Sequence, residues 1–429
     1  MSASRPVIVT GFHQFELHPD LVRGIVAADF VEPRPIQLET IPAALEGADV
    51  LGLAQTGTGK TAAFALPLLD QLLDERKPGP RALVLAPTRE LATQIEAEIR
   101  LLAKHTRLET ALVFGGVSSR AQIAALRRRP EIVVACPGRL LDLMGQGVIR
   151  LGDIETLVLD EADHMFDMGF LPDIRRILKA LPEDRQNLLF SATMPKEIRH
   201  LADEVLYEPH VVELAGTAPA DTIEHALYPV PEAGKRELLQ HILASSSCNS
   251  AIVFTRTKHR ARRLAQQLDK AGHRAVGLQG NMSQSQRDRA MRDFRNRRCD
   301  ILVATDIAAR GIDVSNVSHV INYDVPNTPE AYTHRIGRTG RSECEGKACT
   351  FVTGEDWGWA RATERMIGNA IPRQEVEGFT EMEAPRPASS SGGRKGAGGG
   401  RDGSRGRSRS TRGRRSGARS RGASRSAAR

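Results

Sequence analysis

The segment Ala54-Gln55-Thr56-Gly57-Thr58-Gly59-Lys60-Thr61 sets two glycines, a lysine and a hydroxyl in the spacing AxTGxGKT. This is a relaxed form of GxxxxGK[ST], and the chemistry it suits is polyphosphate binding. Glycines let backbone N–H groups approach phosphate oxygens, and a helix starting there adds its positive end. Lys60 would reach the β- and γ-phosphates, and the Thr61 hydroxyl would ligate Mg²⁺. Further along, Asp160-Glu161-Ala162-Asp163 follows the apolar Leu157-Val158-Leu159. A carboxylate at a buried strand tip is costly without a cation. Asp160 therefore suits the Mg²⁺ shell, and Glu161 is placed to orient and deprotonate an attacking water. An ordinary glycine loop or an acidic turn explains either segment alone, but not both behind apolar strands.

Such residues need a scaffold that points them at one place. In the first half, short unbroken apolar runs stand at residues 50–53, 82–85, 111–114, 132–135, 157–159 and 188–190. Unbroken runs mark strands buried on both faces. Amphipathic stretches such as residues 90–104 lie between them, long enough for crossover helices. The second half repeats the design at 251–254, 275–278, 301–304, 320–323 and 350–352. LAGTAPAD, residues 214–221, has small residues and a proline without apolar periodicity and reads as a hinge. The expected plan is α/β: two parallel-sheet domains in tandem, 1–213 and 222–371, then a tail at 372–429. Nearly every strand is followed at once by a polar or glycine-rich signature. Ligands of open α/β sheets bind beyond the carboxyl ends of the strands, so two such rims facing across a hinge make one composite cleft.

Charge is unevenly placed. The net +8 hides a tail, from Arg386 to Arg429, with thirteen Arg and one Lys against Asp402, which leaves −5 on residues 1–385. The tail is almost wholly Ser, Gly, Arg and Ala. It cannot bury enough surface to offset its ordering entropy and is expected to be disordered. It reads as a sequence-indifferent RNA tether or a solubiliser. No stretch approaches the ~20 apolar residues of a membrane span, and no secretory signal is evident. Cys136, Cys248, Cys299, Cys344 and Cys349 show no metal-ligand spacing and fit a reducing cytoplasm.

Taken together, AQTGTGKT, PTREL, DEAD, SAT, ATDIAARGID and HRIGRTGR resemble the signature set of DEAD-box RNA helicases, in that family's order, over roughly residues 12 to 341. The close-set core and basic tail resemble the bacterial RhlE-type branch. The resemblance implies RecA-like domains, ATP and Mg²⁺ as cofactors, and single-stranded or short duplex RNA as partner. It places Phe12 on the adenine face and Gln37 on its edge. It makes Asp163, Ser191, Thr193 and His334 the coupling of hydrolysis to unwinding. Gly311 and Asp313 would contact ATP from the second domain, where Arg338 and Arg341 would act as arginine fingers on the γ-phosphate. RNA would be held by Thr88, Arg89, Gly115, Gly116, Pro137, Gly138 and Arg139, and by Arg256, Gly280 and Thr305. Glycines and hydroxyls read phosphates and 2′-OH groups rather than base edges.

Four positions depart from the family pattern. Arg34 replaces a usual threonine and has no acceptor for a helix start, so nucleotide sensing there is expected to be weakened. Asp29 replaces glycine, with little effect expected. Cys136 and Gln279 replace threonine and histidine near RNA. Trp357 and Trp359, beyond the last motif, read as packing residues. The expectation is a monomeric cytoplasmic core, with ribosomal or degradation-machinery ribonucleoproteins as candidate partners. An ATP-gated RNA clamp, an annealing chaperone driven by the tail and a DNA helicase are the rival readings.

Overall fold

The strands spelled by the sequence fall where both of their faces are covered. The computed structural model describes residues 11–54, 57–75, 77–214, 223–245, 248–309, 317–340 and 346–376. These residues form two parallel sheets within one compact unit, Met1–Ala384. The first contains β1 (Val50–Leu53), β2 (Ala82–Leu85), β3 (Thr110–Val113), β4 (Ile132–Ala135), β5 (Thr156–Leu159), β6 (Gln186–Ser191) and β7 (His210–Glu213), in the order β3-β4-β2-β5-β6-β1-β7. The second contains β8 (Ile223–Pro229), β9 (Ala251–Phe254), β10 (Ala275–Leu278), β11 (Ile301–Ala304), β12 (His319–Asn322) and β13 (Gly346–Val352), in the order β10-β11-β9-β12-β13-β8.

Alternate residues of each strand face opposite sides, and both sides are filled. In the first sheet Val84, Val134, Val158 and Leu188 join one apolar cluster, while Leu83, Val133, Leu157 and Leu189 join another. In the second, Ile252, Leu302 and Val320 face one cluster, and Val253, Val303 and Ile321 the other. Helices from the crossovers supply the opposing surfaces, as parallel sheets require.

Two strands escape the sequence pattern. β7 is an edge strand in which only Val212 is buried, so it has no unbroken apolar core. β8 has β13 as its one neighbouring strand, and its burial is broken by exposed Glu224 and half-buried His225 and Tyr228. The tail expected from residue 372 begins later, because the chain first runs beside β8. Leu227 donates its N–H to the Pro372 carbonyl at 2.8 Å, and Gln374 donates to the Leu227 carbonyl at 2.9 Å. Arg373 also stacks over the ring of Trp357 at 4.7 Å. Trp357 is buried, and Trp359 packs edge-on against Tyr332. Residues 215–222, which hold most of the expected hinge, and the tail from 377 lie outside the described residues. No helix among the described residues is long and apolar enough to cross a membrane.

Candidate functional site

The helix Lys60–Asp74 starts directly after the glycine loop that leaves β1. Gly59 caps it at φ 96°, and a Cβ there would sit 2.7 Å from Gln37 Nε2, so the position demands glycine. Lys60 is buried; its Nζ donates to the Ala54 carbonyl at 3.0 Å and stands 3.8 Å from Asp160 Oδ1. Thr61 is half-buried on the next position. Gln55 and Thr56 lie outside the described residues, while Gly57 and Thr58 lead into the helix.

Gln37, buried on the helix Pro35–Leu45, ties this loop to the segment before it. Its Nε2 donates to the Gly59 carbonyl at 3.1 Å, and its Oε1 accepts the Arg34 N–H at 2.9 Å. The Arg34 guanidinium donates to the Gly57 carbonyl at 2.6 Å. As expected, Arg34 gives the helix no side-chain cap, but it adds a contact the sequence did not suggest, a grip on the phosphate loop. The expectation for Phe12 is corrected. It is 1% exposed, edge-on to Phe15 and stacked on Phe30, so it offers no open face to a base. Phe30, only half-buried, holds the outer side of that stack. Asp29 adopts φ 55°, the left-handed geometry that glycine would fill.

β5 ends at the acidic motif. Asp160 is buried, and burial raises its carboxyl to about 6 against the pull of Lys60. Its Oδ1 accepts the Glu161 N–H at 2.9 Å. Glu161 is also buried and sits in left-handed backbone, φ 54° and ψ 53°. Burial opposes its charge, but His164, Lys60 and Arg338 together outweigh burial and hold the carboxyl well below its usual range. His164 Nδ1 donates to Glu161 Oε2 at 2.7 Å.

Asp163 links this tip to the end of β6. Its Oδ2 accepts from the Thr193 N–H at 3.0 Å and the Thr193 hydroxyl at 2.9 Å. The Asp163 N–H donates to Ser191 Oγ at 3.3 Å, and that hydroxyl donates to the Thr193 carbonyl at 2.7 Å. From the second sheet's side, the helix Pro329–Ile336 brings His334 Nε2 to 3.8 Å from Asp163 Oδ2. His334 Nδ1 lies 3.4 Å from His164 Nε2. Burial pushes the His334 imidazole down to about 4. Arg338 is buried and lines the same small cavity as His164, His334 and Phe254. All four coupling residues named from the sequence thus meet. Gly311, Asp313 and Arg341 lie outside the described residues.

The expected RNA rim forms two groups. Thr88 caps the helix Arg89–Leu102 by accepting the Leu91 N–H at 3.2 Å, so its hydroxyl already serves the fold. Gly116, at φ 76°, lies under the Arg89 guanidinium, where a Cβ would collide with it. Beside them stand Gly115, and Pro137, Gly138 and Arg139 at the start of the helix Pro137–Gly145, with Arg139 directed at the Val117 carbonyl. Cys136 is buried and its thiol is pushed to about 12 by that burial, so it acts as packing. On the second sheet, Arg256, Gly280 and Thr305 follow β9, β10 and β11; the Arg256 N–H donates to Asp324 Oδ2 at 2.9 Å. Gln279 accepts the Asn281 N–H at 2.7 Å, a turn role rather than an open side chain.

Sequence reasoning missed the contacts that join the two groups. Arg89 donates to Gln284 Oε1 at 3.1 Å, and Arg287 donates to Glu90 Oε1 at 2.7 Å. Gln284 and Arg287 open the helix Gln284–Arg295, and Ser283 caps it. Their i, i+3 spacing puts both on one face; that spacing was the available signal. His164 was missed as well.

Residues 34–201 match the DEAD/DEAH box helicase family and residues 234–343 the helicase conserved C-terminal domain. The ATP-dependent RNA helicase CshA of Listeria monocytogenes is 44% identical over 357 residues, 83% of this chain and 68% of the relative. The DEAD-box ATP-dependent RNA helicase CshA of Bacillus subtilis is 44% identical over 363 residues, 84% and 73%. Among solved structures, S. cerevisiae Dbp5 bound to RNA and ADP BeF3 superposes with a TM-score of 0.77 at 34% identity, covering 86% of this chain and 96% of that one. The chain belongs to the DEAD-box ATP-dependent RNA helicases. It is an ATP-hydrolysing enzyme that unwinds or remodels RNA, with the RecA-like pair of domains that such enzymes use. The annealing-chaperone and DNA-directed readings are thereby set aside.

Proposed function

We propose that hydrolysis occurs where Lys60, Asp160 and Glu161 meet Arg338, and that it drives local, non-processive opening of RNA duplexes and ribonucleoproteins. The observation that carries this reading is the meeting of the two domains at the acidic tip: His334 stands 3.8 Å from Asp163, and it shares a cavity with buried Arg338 and with His164, which bonds Glu161. Lys60 holds the β- and γ-phosphates and Arg338 neutralises charge on the transferred group. Glu161 takes a proton from the attacking water as its oxygen bonds to the γ-phosphorus and the bond to ADP breaks. Gln37 reads the adenine edge. Gly311, Asp313 and Arg341 keep the roles that the motifs give them.

Mg²⁺ fits the donors present. Asp160 offers a buried carboxylate and Thr61 a hydroxyl at the start of the phosphate-loop helix, and Mg²⁺ takes few protein oxygens when phosphates and waters complete its shell. Among the described residues no group of three or more His, Cys, Asp or Glu forms a self-contained metal site. When bound, the ion would neutralise phosphate charge between those two side chains.

ATP and RNA favour the joined arrangement because each contacts both domains only there. A bend imposed on one strand displaces its partner, and phosphate release parts the domains. A first domain of 1–213, a second from 222 that runs on through the Gln374 contact with β8, a cytoplasmic monomer, and ribosomal or degradation-machinery targets complete the reading. The close-set core and basic tail support the RhlE-type branch; the two relatives above carry the CshA name.

Lys60→Ala tests the site. RNA-stimulated ATPase and strand separation should be abolished, and retention of more than about a tenth of the wild-type rate would overturn the assignment.

A further inference from the structure

We propose that His164 is a positioning residue that fixes the carboxylate of Glu161 for hydrolysis and receives the second domain's signal through His334. The inference rests on the role given to Glu161 above.

Three observations lead to it. First, Glu161 sits in a left-handed backbone turn, φ 54° and ψ 53°, immediately before the helix Ala162–Asp167. That geometry costs a non-glycine residue about 1 kcal/mol or more and persists only where surroundings enforce it. It turns the side chain back over the first turn of the helix, where His164 stands three positions on. Second, His164 Nδ1 meets Glu161 Oε2 at 2.7 Å, and both side chains are 3% exposed. A charge-assisted bond of that length in a buried place fixes the rotation of the carboxylate. Third, the opposite edge of the same ring meets the second domain. The His164 and His334 rings are edge-to-face, with centroids 5.0 Å apart at 90°, and Nε2 is 3.4 Å from Nδ1.

The imidazole is therefore held between the water-activating acid and a residue of the other domain. Asp163, Ser191 and Thr193 form one line from His334 to the end of β6. His164 forms a second, shorter line that ends on Glu161 itself. Parting the domains removes the support on one side of the ring, and the carboxylate loses its fixed rotation. A misplacement of about 1 Å at a reacting group can cost about a hundredfold in rate, so ring support of this kind can gate hydrolysis without moving the phosphate loop.

The test uses the full chain, ATP and a single-stranded RNA oligonucleotide. His164→Phe keeps a ring against His334 but removes the bond to Glu161. His164→Asn keeps a nitrogen near the Nδ1 position but removes the edge that meets His334. For H164F, kcat at saturating RNA should fall about tenfold to a hundredfold, with the ATP KM within about threefold of wild type. For H164N, RNA-independent hydrolysis should recover relative to H164F, while the factor by which RNA stimulates ATPase falls about fivefold or more. H164F with a kcat within about threefold of wild type overturns the inference. Equal losses in both variants with a common fall in Tm also overturn it, because the ring is then only packing. Glu161→Gln is the control. If E161Q hydrolyses ATP as wild type does, the assignment of Glu161 fails; if E161Q is inactive and H164F is not, only the role of His164 fails.

Discussion

Glu90 and Arg287 meet at 2.7 Å, one from each domain, with side chains 13% and 12% exposed. Glu90 sits in the first turn of the helix that carries Arg89, and Arg287 in the first turn of the helix that carries Gln284. The ion pair therefore joins the helix that carries Arg89, in one half of the expected RNA rim, to the helix that follows Gly280 in the other.

Breaking one side of a mostly buried pair leaves the other charge poorly compensated. Glu90→Ala and Arg287→Ala should each weaken the apparent RNA affinity for ATPase stimulation by about tenfold, and the double variant should be little worse than either single one. Strict additivity of the two losses would show that the residues act separately.

At Arg34 the structure adds a backbone contact to the missing cap that the sequence implied. Threonine would restore a cap worth about 1 kcal/mol but would release the Gly57 carbonyl that the guanidinium holds at 2.6 Å. Arg34→Thr should raise the ATP KM by about twofold to fivefold with little change in kcat. A KM equal to or below that of wild type would count against the tether.

Glu155 supplies a pH-dependent part of stability. Arg81, 4% exposed, donates to it at 2.7 Å and 3.1 Å and, with help from Lys77, holds its carboxyl below the usual range. A lowered folded-state value means that the stabilisation is complete above the ordinary value of 4.5 and is lost as pH falls through and below it. Glu155 is 40% exposed, so screening limits the pair to about 1 kcal/mol or less. Glu155→Gln should lower the urea midpoint at pH 7, and the gap from wild type should narrow as the pH drops below 4.5. A gap that widens in acid would contradict the sign.

The basic tail is testable by salt. Each phosphate neutralised on single-stranded RNA contributes about −0.7 to the slope of log affinity against log salt. If about five of the fourteen cations engage at once, removing residues 386–429 should make the slope shallower by roughly 3 to 4 units. The saturated ATPase rate should stay nearly the same. An unchanged slope would leave the tail as a solubiliser, and a collapsed rate would make it part of the catalytic unit.

How far the sequence could be read depended on where each residue's partners lie. β1, β2 and β4 were legible because both faces of each are covered by apolar neighbours, which leaves an unbroken run. β7 was not, because solvent meets three of its four residues. Lys60, Asp160, Asp163 and Ser191 were legible because each stands at a strand tip inside a local motif. Gln284 and Arg287 were not, because their i, i+3 spacing marks a shared face but does not name Arg89 and Glu90, in the other domain, as its partners. Phe12 was assigned to the wrong environment because residue type does not tell which face of a ring stays open; Phe15 and Phe30 cover it. His164 was passed over because a histidine on a short helix is ordinary until its two neighbours are known.

The strand order has a consequence for how the enzyme comes into being during synthesis. β1, which launches the phosphate loop, has β6 and β7 as its neighbours; Val50 pairs with Leu188 and with His210. A growing chain that has already produced Lys60 thus lacks both flanking strands of β1 until residues near 190, and then near 210, have been made. β8 waits in the same way, since its register is set by β13, the last strand made. A nascent chain stalled before β6 carries its nucleotide motif without the strands that flank β1. Assembly of the phosphate-binding loop is thereby tied, through strand order, to completion of the first sheet.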